Sequence, residues 1–405
     1  MDKKNRKAAG GGGVAFETPA AAMTCLWDRL APLGEETVPL SQASGRVLAE
    51  SIVADRPSPA CHVSAMDGYA VRVGDAPGRL PVCCEVQTGL APPALPARSA
   101  VRIFTGGALP EQAEAVLRRE QVVEGDDHIV IPEGLRVKPG DNVRYCGENA
   151  KQGDVVVRAG SVMHPGRVAA AAIFGVRQVR VHRRVRVGLL VTGNEVVTGG
   201  GASPTEVVDA NGPSAASLLD TLPYATIVDV GHVRDDPDQT HAALISLLQR
   251  CDAVWLTGGV SLGDHDYVPT AVSPVAEIVF HGLPVRPGKP NLAAVSRDNK
   301  LILGLPGNPV SVMVAARRFG LEAVRRLAGV AERATVPAVQ LREHDGKTLR
   351  LWWYRPVLKT ADGTAALVPS MGSGDVVAAA ASDGFIELPP KAAGPGPWPF
   401  YPWGA

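Results

Sequence analysis

Nothing in the sequence is apolar for long enough to span a bilayer. The nearest run, around 168–176, is short and holds Gly175, against the roughly 20 apolar residues of a spanning helix. Excess charge is also absent. Lys and Arg number 41 and Asp and Glu 41, a formal net charge of +0, which argues against nucleic acid or an anionic membrane as the main partner. Cysteine is sparse: Cys25, Cys61, Cys83, Cys84, Cys146 and Cys251 make no C-x-x-C pair. Neither a zinc site nor a disulfide framework is indicated, and a reduced, cytoplasmic setting fits. The opening MDKKNRKAAGGGG has glycines where a signal peptide carries its apolar core, so residues 1–15 read as a disordered tail. What remains is a chain of 405 residues, 45% hydrophobic, too long for one core and expected to form several domains around a small ligand.

Organised structure is expected from residue 16, where Met23, Leu26, Trp27 and Leu30 have helical spacing, with a second helical stretch over 40–50. Residues 55–157 carry short β-branched runs broken by Gly and Pro (VRIFTGG, HIVIPEG, DNVRYCGENAKQGDVVV), the texture of a small β domain. Helical composition returns at 166–174, and 176–187 alternates apolar with basic residues. The chain therefore rejoins its first helices there, giving a helical domain from 16–54 and 158–182. Over 183–330 strand and helix alternate: VRVGLLVTG, a helix at 214–222, ATIVDVGHV, a helix at 237–250, then AVWLTGG, EIVFHGLPV and LAAVSRDNKLILGL, closed by a helix at 310–326. Such alternation predicts a largely parallel sheet covered by helices on both faces. Residues 331–405 turn β-rich again and read as a barrel. The expected class is a multidomain α/β protein: a parallel α/β domain, an inserted β domain, an N-terminal helical domain and a C-terminal β-barrel.

Ligands of such sheets bind beyond the C-terminal ends of the strands. Four strand-end loops have unusual content: TGNE (192–195), RDDP (234–237), TGGVSLGDHD (257–266) and PGNP (306–309). Gly193, Gly258, Gly259 and Gly307 allow backbone N–H groups close to an anion, and the helix after PGNP offers its positive end. Glu195, Asp235, Asp236, Asp264 and Asp266 collect at the same edge. Carboxylates beside an anion cradle repel the anion unless a cation sits between them, so a hard, oxygen-ligated metal is implied, Mg²⁺ first. In RPGKP, Arg286 and Lys289 suit an oxyanion. Other readings assign some of these residues to structure. Asp236 before Pro237 has the form of a helix N-cap, leaving Asp235 the functional residue. Asp266 is favoured over Asp264, His265 receives no role, Trp255 belongs to the core, and Ser261 lacks the base and orienting acid of a nucleophile.

Together, SAMDGYAVR (64–72), RIFTGGALPEQAEAVLRRE (102–120), GENAKQGD (147–154), VTGNE, RDDP, TGGVSLGDHDY, RPGKP and LGLPGNPVS resemble the MoeA family, the molybdopterin molybdenumtransferases of molybdenum cofactor biosynthesis, to which gephyrin is related. The motifs run in the family's order over residues 16–390. The resemblance implies a MogA-like α/β domain and a homodimer whose active site is shared between subunits. It implies transfer of molybdenum from molybdate into adenylylated molybdopterin, with Mg²⁺ and release of AMP. Glu195, Asp235 and Asp266 would serve the metal and pyrophosphate, Arg286 and Lys289 the oxyanion, and Gly258, Gly259, Ser261, Pro306, Gly307 and Asn308 the pterin nucleotide. Asp67 and Thr105 would reach in from the second subunit. The upstream adenylyltransferase is the implied transient partner, with neither nucleic acid nor membrane involved. Two departures stand out: Asn149 replaces a carboxylate in GEN, and His281 and Gly282 stand where relatives carry a basic residue. The alternatives are a non-catalytic molybdopterin-binding scaffold and the adenylyltransferase itself, which resembles the α/β unit alone.

Overall fold

The computed structural model describes residues 16–261, 266–331 and 333–404. The expected tail at 1–15 and the residues Asp264 and His265 lie outside them. The chain divides into two compact units, one comprising the described residues of Met1–Glu50, Ala159–Val168 and Arg177–Ala405, the other Ser51–Arg158 and Ala169–Val176. No helix among the described residues is long and apolar enough to cross a membrane.

The first unit is built on a six-stranded sheet in the order Ala225–Val233, Val185–Thr192, Ala253–Thr257, Leu301–Leu305, Leu292–Ser296, Ala276–His281. Alternate residues of each central strand feed opposite faces. Val187, Leu189, Trp255 and Leu303 pack into one core with the helix Asn211–Asp220. Leu190, Val254, Leu256 and Ile302 pack into another with the helix Pro237–Arg250. Burial on both faces explains why these strands read as continuous apolar runs. The first four strands are parallel, as expected. Leu292–Ser296 is reversed, because 292–296 and 301–305 are joined by four residues, too few for a crossover, and Ala276–His281, antiparallel to it in turn, runs in the direction of the first four. Asn299 takes the left-handed conformation, φ 60°, in that turn.

The closing helix departs from the single element expected at 310–326. It runs Pro309–Ala315, passes through a wider turn at Ala316–Gly320, and resumes as Leu321–Leu327. Gly320 lies against Trp255, where an added Cβ would come within 2.7 Å of the indole ring. The turn also presents Arg318 to Glu387 in a buried ion pair of 2.6 Å.

The first expected helix forms as Pro19–Arg29, capped by the Thr18 hydroxyl and burying Ala22, Met23 and Leu26. The second does not form. Glu35–Pro39 is a strand antiparallel to Gln178–His182, followed only by a short turn at Leu40–Gln42. Gly45 then takes φ 74° against Pro223, and Val47 and Leu48 bridge to Val162 and Val181. The apolar residues of 40–50 are thus buried through extended backbone, which their spacing alone did not reveal.

The C-terminal strands follow the order Val285–Arg286, Trp352–Lys359, Gly384–Leu388, Trp398–Pro402, Ala338–Val339, with Ala365–Leu367 also paired to Trp352–Lys359. The sheet curls back on itself. Ala365 N–H donates to the Gln340 carbonyl at 2.8 Å, and Arg342 N–H donates to the Ala365 carbonyl at 2.9 Å. Val339, Leu341, Val357, Ile386 and Phe400 fill its interior.

The second unit holds another six-stranded sheet, ordered Ala115–Arg118, Gly68–Val71, Ala100–Ile103, Gly78–Val86, His128–Ile131, Val123–Glu124. Its two faces carry separate cores, one around Tyr69, Leu80 and Ile129, the other around Val86, Ile103 and Val116.

Candidate functional site

A cleft of about 2250 Å³ opens in the first unit, where the strand-end loops face the C-terminal sheet. Of the residues singled out in the sequence, Gly193, Glu195, Asp235, Gly258, Gly259, Ser261, Asp266, Arg286, Pro306, Gly307 and Asn308 all line it. Lys289 is exposed but does not.

Backbone geometry decides the glycines. Gly258 and Gly259 take φ 87° and 59°, where L side chains are strained. A Cβ on Gly258 would also sit 2.8 Å from both the carbonyl and the hydroxyl oxygen of Thr192. Gly307 comes so near that a Cβ there would lie 3.7 Å from Gly258 Cα. The TGGVS and PGNP loops therefore expose main chain to the same space.

The acidic residues separate by role. Asp236 accepts a 2.8 Å bond from the Gln239 N–H and caps the helix Pro237–Arg250. Asp235 and Asn194 exchange bonds: Asn194 N–H donates to Asp235 Oδ2 at 3.1 Å, and Asp235 N–H donates to Asn194 Oδ1 at 3.2 Å. That exchange ties TGNE to RDDP. Glu195 lies beside Gly193, whose Cβ would meet its carboxylate at 3.0 Å. Among the described residues no three His, Cys, Asp or Glu side chains are gathered into a metal-holding group. Glu195, Asp235 and Asp266 nonetheless offer hard oxygen donors to one cleft. Such a set suits a divalent cation that keeps water and ligand phosphate in its shell, not one enclosed by protein.

Several contributors were not singled out from the sequence. Asp209 Oδ1 accepts from the N–H groups of Asn211 and Gly212 at 2.8 and 2.9 Å, while its Oδ2 bonds His232 Nε2 at 3.0 Å. Asn211 Nδ2 then donates to the Gly307 carbonyl at 2.8 Å, fixing the PGNP loop from behind. From the C-terminal sheet, Ser373 accepts a 2.9 Å bond from Asn308 Nδ2, and its carbonyl accepts from Val310 N–H at 3.0 Å. Arg355 forks onto Asp345 at 2.8 and 2.7 Å and stacks over Trp353 at 4.3 Å. That guanidinium holds the Asp345 carboxyl well below the usual carboxylate range. The bonds from Asp209 to His232, from Asn308 to Ser373 and from Asn211 to Gly307 join residues 23, 65 and 96 positions apart, so no local pattern announces them.

His281, read from the sequence as the loss of a cation, serves the loop instead: its Nε2 donates to the Val260 carbonyl at 2.7 Å. Trp255 is fully buried, as expected of a core residue.

Asp67 and Thr105 belong to the second unit. Both the N–H and Oγ1 of Thr105 donate to Asp67 Oδ1 at 2.8 Å, and the backbone bond, then the hydroxyl, lowers the Asp67 pKa. The SAMDGYA and IFTG motifs thus meet through one carboxylate. In the same unit Arg144 bridges Glu148 at 2.6 Å and Asn149 Oδ1 at 2.8 Å. The Asn149 carboxamide therefore accepts as a carboxylate would, without the charge.

Comparison with known proteins agrees along most of the chain. A family model described as the MoeA N-terminal region (domain I and II) matches residues 18–175, and one described as "Probable molybdopterin binding domain" matches 188–326. The molybdopterin molybdenumtransferase of Haemophilus influenzae is 33% identical over 302 residues, covering 74% of each chain. That of Staphylococcus aureus strain Mu50 is 30% identical over 370 residues, covering 87% of each. Among solved structures, a molybdopterin biosynthesis MoeA protein from Pyrococcus horikoshii OT3 superposes with a TM-score of 0.79 at 26% identity, covering 95% of this chain and 98% of that one.

Proposed function

The chain belongs to the MoeA family, the molybdopterin molybdenumtransferases that insert molybdenum into molybdopterin, and from that premise we propose that the cleft of the first unit is its active site. The observation carrying this reading is the convergence of four strand-end loops on one cleft, with main chain at Gly259 and Gly307 open to it and carboxylates alongside.

In this reading the pterin substrate is adenylylated. Gly259 and Gly307 offer N–H groups to its phosphates, flanked by Ser261, Pro306 and Asn308, while Gly258, whose own N–H donates to the Leu305 carbonyl at 3.1 Å, leaves room beside them for want of a side chain. The bonds from Asn211 and Ser373 hold those loops before substrate arrives, so little ordering is left to the binding step. Arg286 and Lys289 attract molybdate, the guanidinium presenting paired N–H donors to two of its oxygens. Water adds across the phosphoanhydride, AMP leaves, and molybdate condenses with the two dithiolene thiols with loss of water. Glu195, Asp235 and Asp266 would hold Mg²⁺, which would offset charge developing on the bridging oxygen. Asp67 of the partner subunit and Thr105 of the partner subunit complete the site in a homodimer. The protein works in the cytoplasm and receives its substrate from the adenylyltransferase.

The test is a Mg²⁺ titration of AMP release from adenylylated molybdopterin by the wild type and Glu195→Gln. The variant is expected to need about tenfold or more Mg²⁺, the loss of roughly 1.4 kcal/mol from one charged ligand. Superimposable titrations would remove Glu195 from the metal site.

A further inference from the structure

Adjacent residues in a regular strand point to opposite faces of the sheet, which keeps neighbouring cysteines apart. Cys83 and Cys84 depart from that rule. Their strand slips against Ala100–Ile103: Val82 faces Ala100 and Cys84 faces Val101, so Cys83 is an extra residue without a counterpart there. On the other side, pairing with His128–Ile131 stops at Pro81. The two sulfurs come to 3.2 Å, with Cys83 exposed, Cys84 half-buried and both thiols free.

That separation discriminates among thiol-seeking ligands. With sulfur–metal bonds of about 2.3 Å, a 3.2 Å span closes the angle at the bound atom to near a right angle. Soft ions that prefer linear coordination, Cu(I) and Hg(II), would need the sulfurs about 4.6 Å apart, twice that bond length. Zinc requires a tetrahedral angle and further donors, and no group of three His, Cys, Asp or Glu occurs among the described residues. Trivalent arsenic is pyramidal, its lone pair drawing the remaining bonds toward right angles, and it takes two thiols beside one other substituent.

We propose that Cys83 and Cys84 form a chelating dithiol site for trivalent arsenic. Arsenous acid condenses with the two thiols: two As–O and two S–H bonds break, two As–S bonds form, and two waters leave. One hydroxyl stays on arsenic, and no electrons are transferred. Burial, with the Cys83 thiol beside it, pushes the Cys84 thiol up to about 11. That disfavours reactions needing a free thiolate, such as oxidation, but not a condensation whose proton departs in water.

The experiment titrates the reduced full-length protein with phenylarsine oxide, washes with excess monothiol, and weighs the intact protein by native mass spectrometry. One phenylarsine group per chain should survive the wash and leave on addition of a dithiol, with two thiols protected. Cys83→Ser and Cys84→Ser should each weaken retention about a hundredfold, the gain expected from a second tethered ligand. Cys61→Ser and Cys146→Ser should leave it unchanged. Absence of retention in the wild type, retention indifferent to Cys83→Ser, or retention lost in Cys61→Ser or Cys146→Ser overturns the proposal. Because Cys83 is exposed, its variant decides the matter even if Cys84→Ser unfolds.

Discussion

At the residue scale, the pair Asp67–Thr105 makes a claim that pH can test. Two donors on one oxygen lower the carboxyl pKa. A carboxylate of that kind contributes stability in full above its unfolded pKa, about 4, and loses the contribution as pH falls through the lower folded value. Asp67→Asn should therefore be less stable than the wild type at neutral pH, and the two should converge in strong acid. Urea midpoints across a pH series measure this, and a gap constant down the series would contradict it. Single residues also show why sequence reading stopped where it did. The cap at Asp236 was legible because donor and acceptor lie three positions apart. The anchor from His281 to Val260 was not, since 21 residues separate them and only the folded sheet brings them together.

At the scale of elements, neighbouring aspartates in RDDP divide structure from chemistry. Asp236→Ala removes the N-cap of Pro237–Arg250 and should cost about 1 kcal/mol of stability, with AMP release per folded molecule unchanged. Asp235→Ala keeps the cap, and its AMP release should fall at least about tenfold, roughly 1.4 kcal/mol of transition-state stabilisation. Denaturant unfolding and initial rates on both variants check the division, and the reverse pattern would exchange the roles. The strands of the central sheet were legible because burial on two faces demands unbroken apolar runs, as in Ala253–Thr257. The stretch at 40–50 was misread because its apolar residues fit helical spacing, while Gly45 packed on Pro223 decides the backbone. The cleft's far wall, with Ser373 and Arg355, was hidden for a further reason. It comes from the C-terminal β sheet, and the bonds from Asn308 and Val310 to Ser373 that tie it to the site cross more than 60 positions of chain and exist only in the folded molecule.

At the scale of the whole molecule, two compact units each carry part of the family's motifs. If a homodimer shares its sites, Asp67→Ala and Asp266→Ala subunits complement each other. A mixed dimer has one site with both changes and one with neither, so random re-pairing of two inactive variants should restore about a quarter of wild-type activity. No recovery after verified subunit exchange would place both residues in a site made by a single chain. The central claim, that the first unit's cleft carries out the transfer, is tested most directly by counting molybdenum on the pterin. Purified protein would be given adenylylated molybdopterin, Mg²⁺ and molybdate, beside Asp266→Ala of equal unfolding midpoint. The expected result is molybdenum on the pterin in step with AMP released by the wild type, and neither product from the variant. AMP and molybdenum transfer undiminished in Asp266→Ala would contradict it.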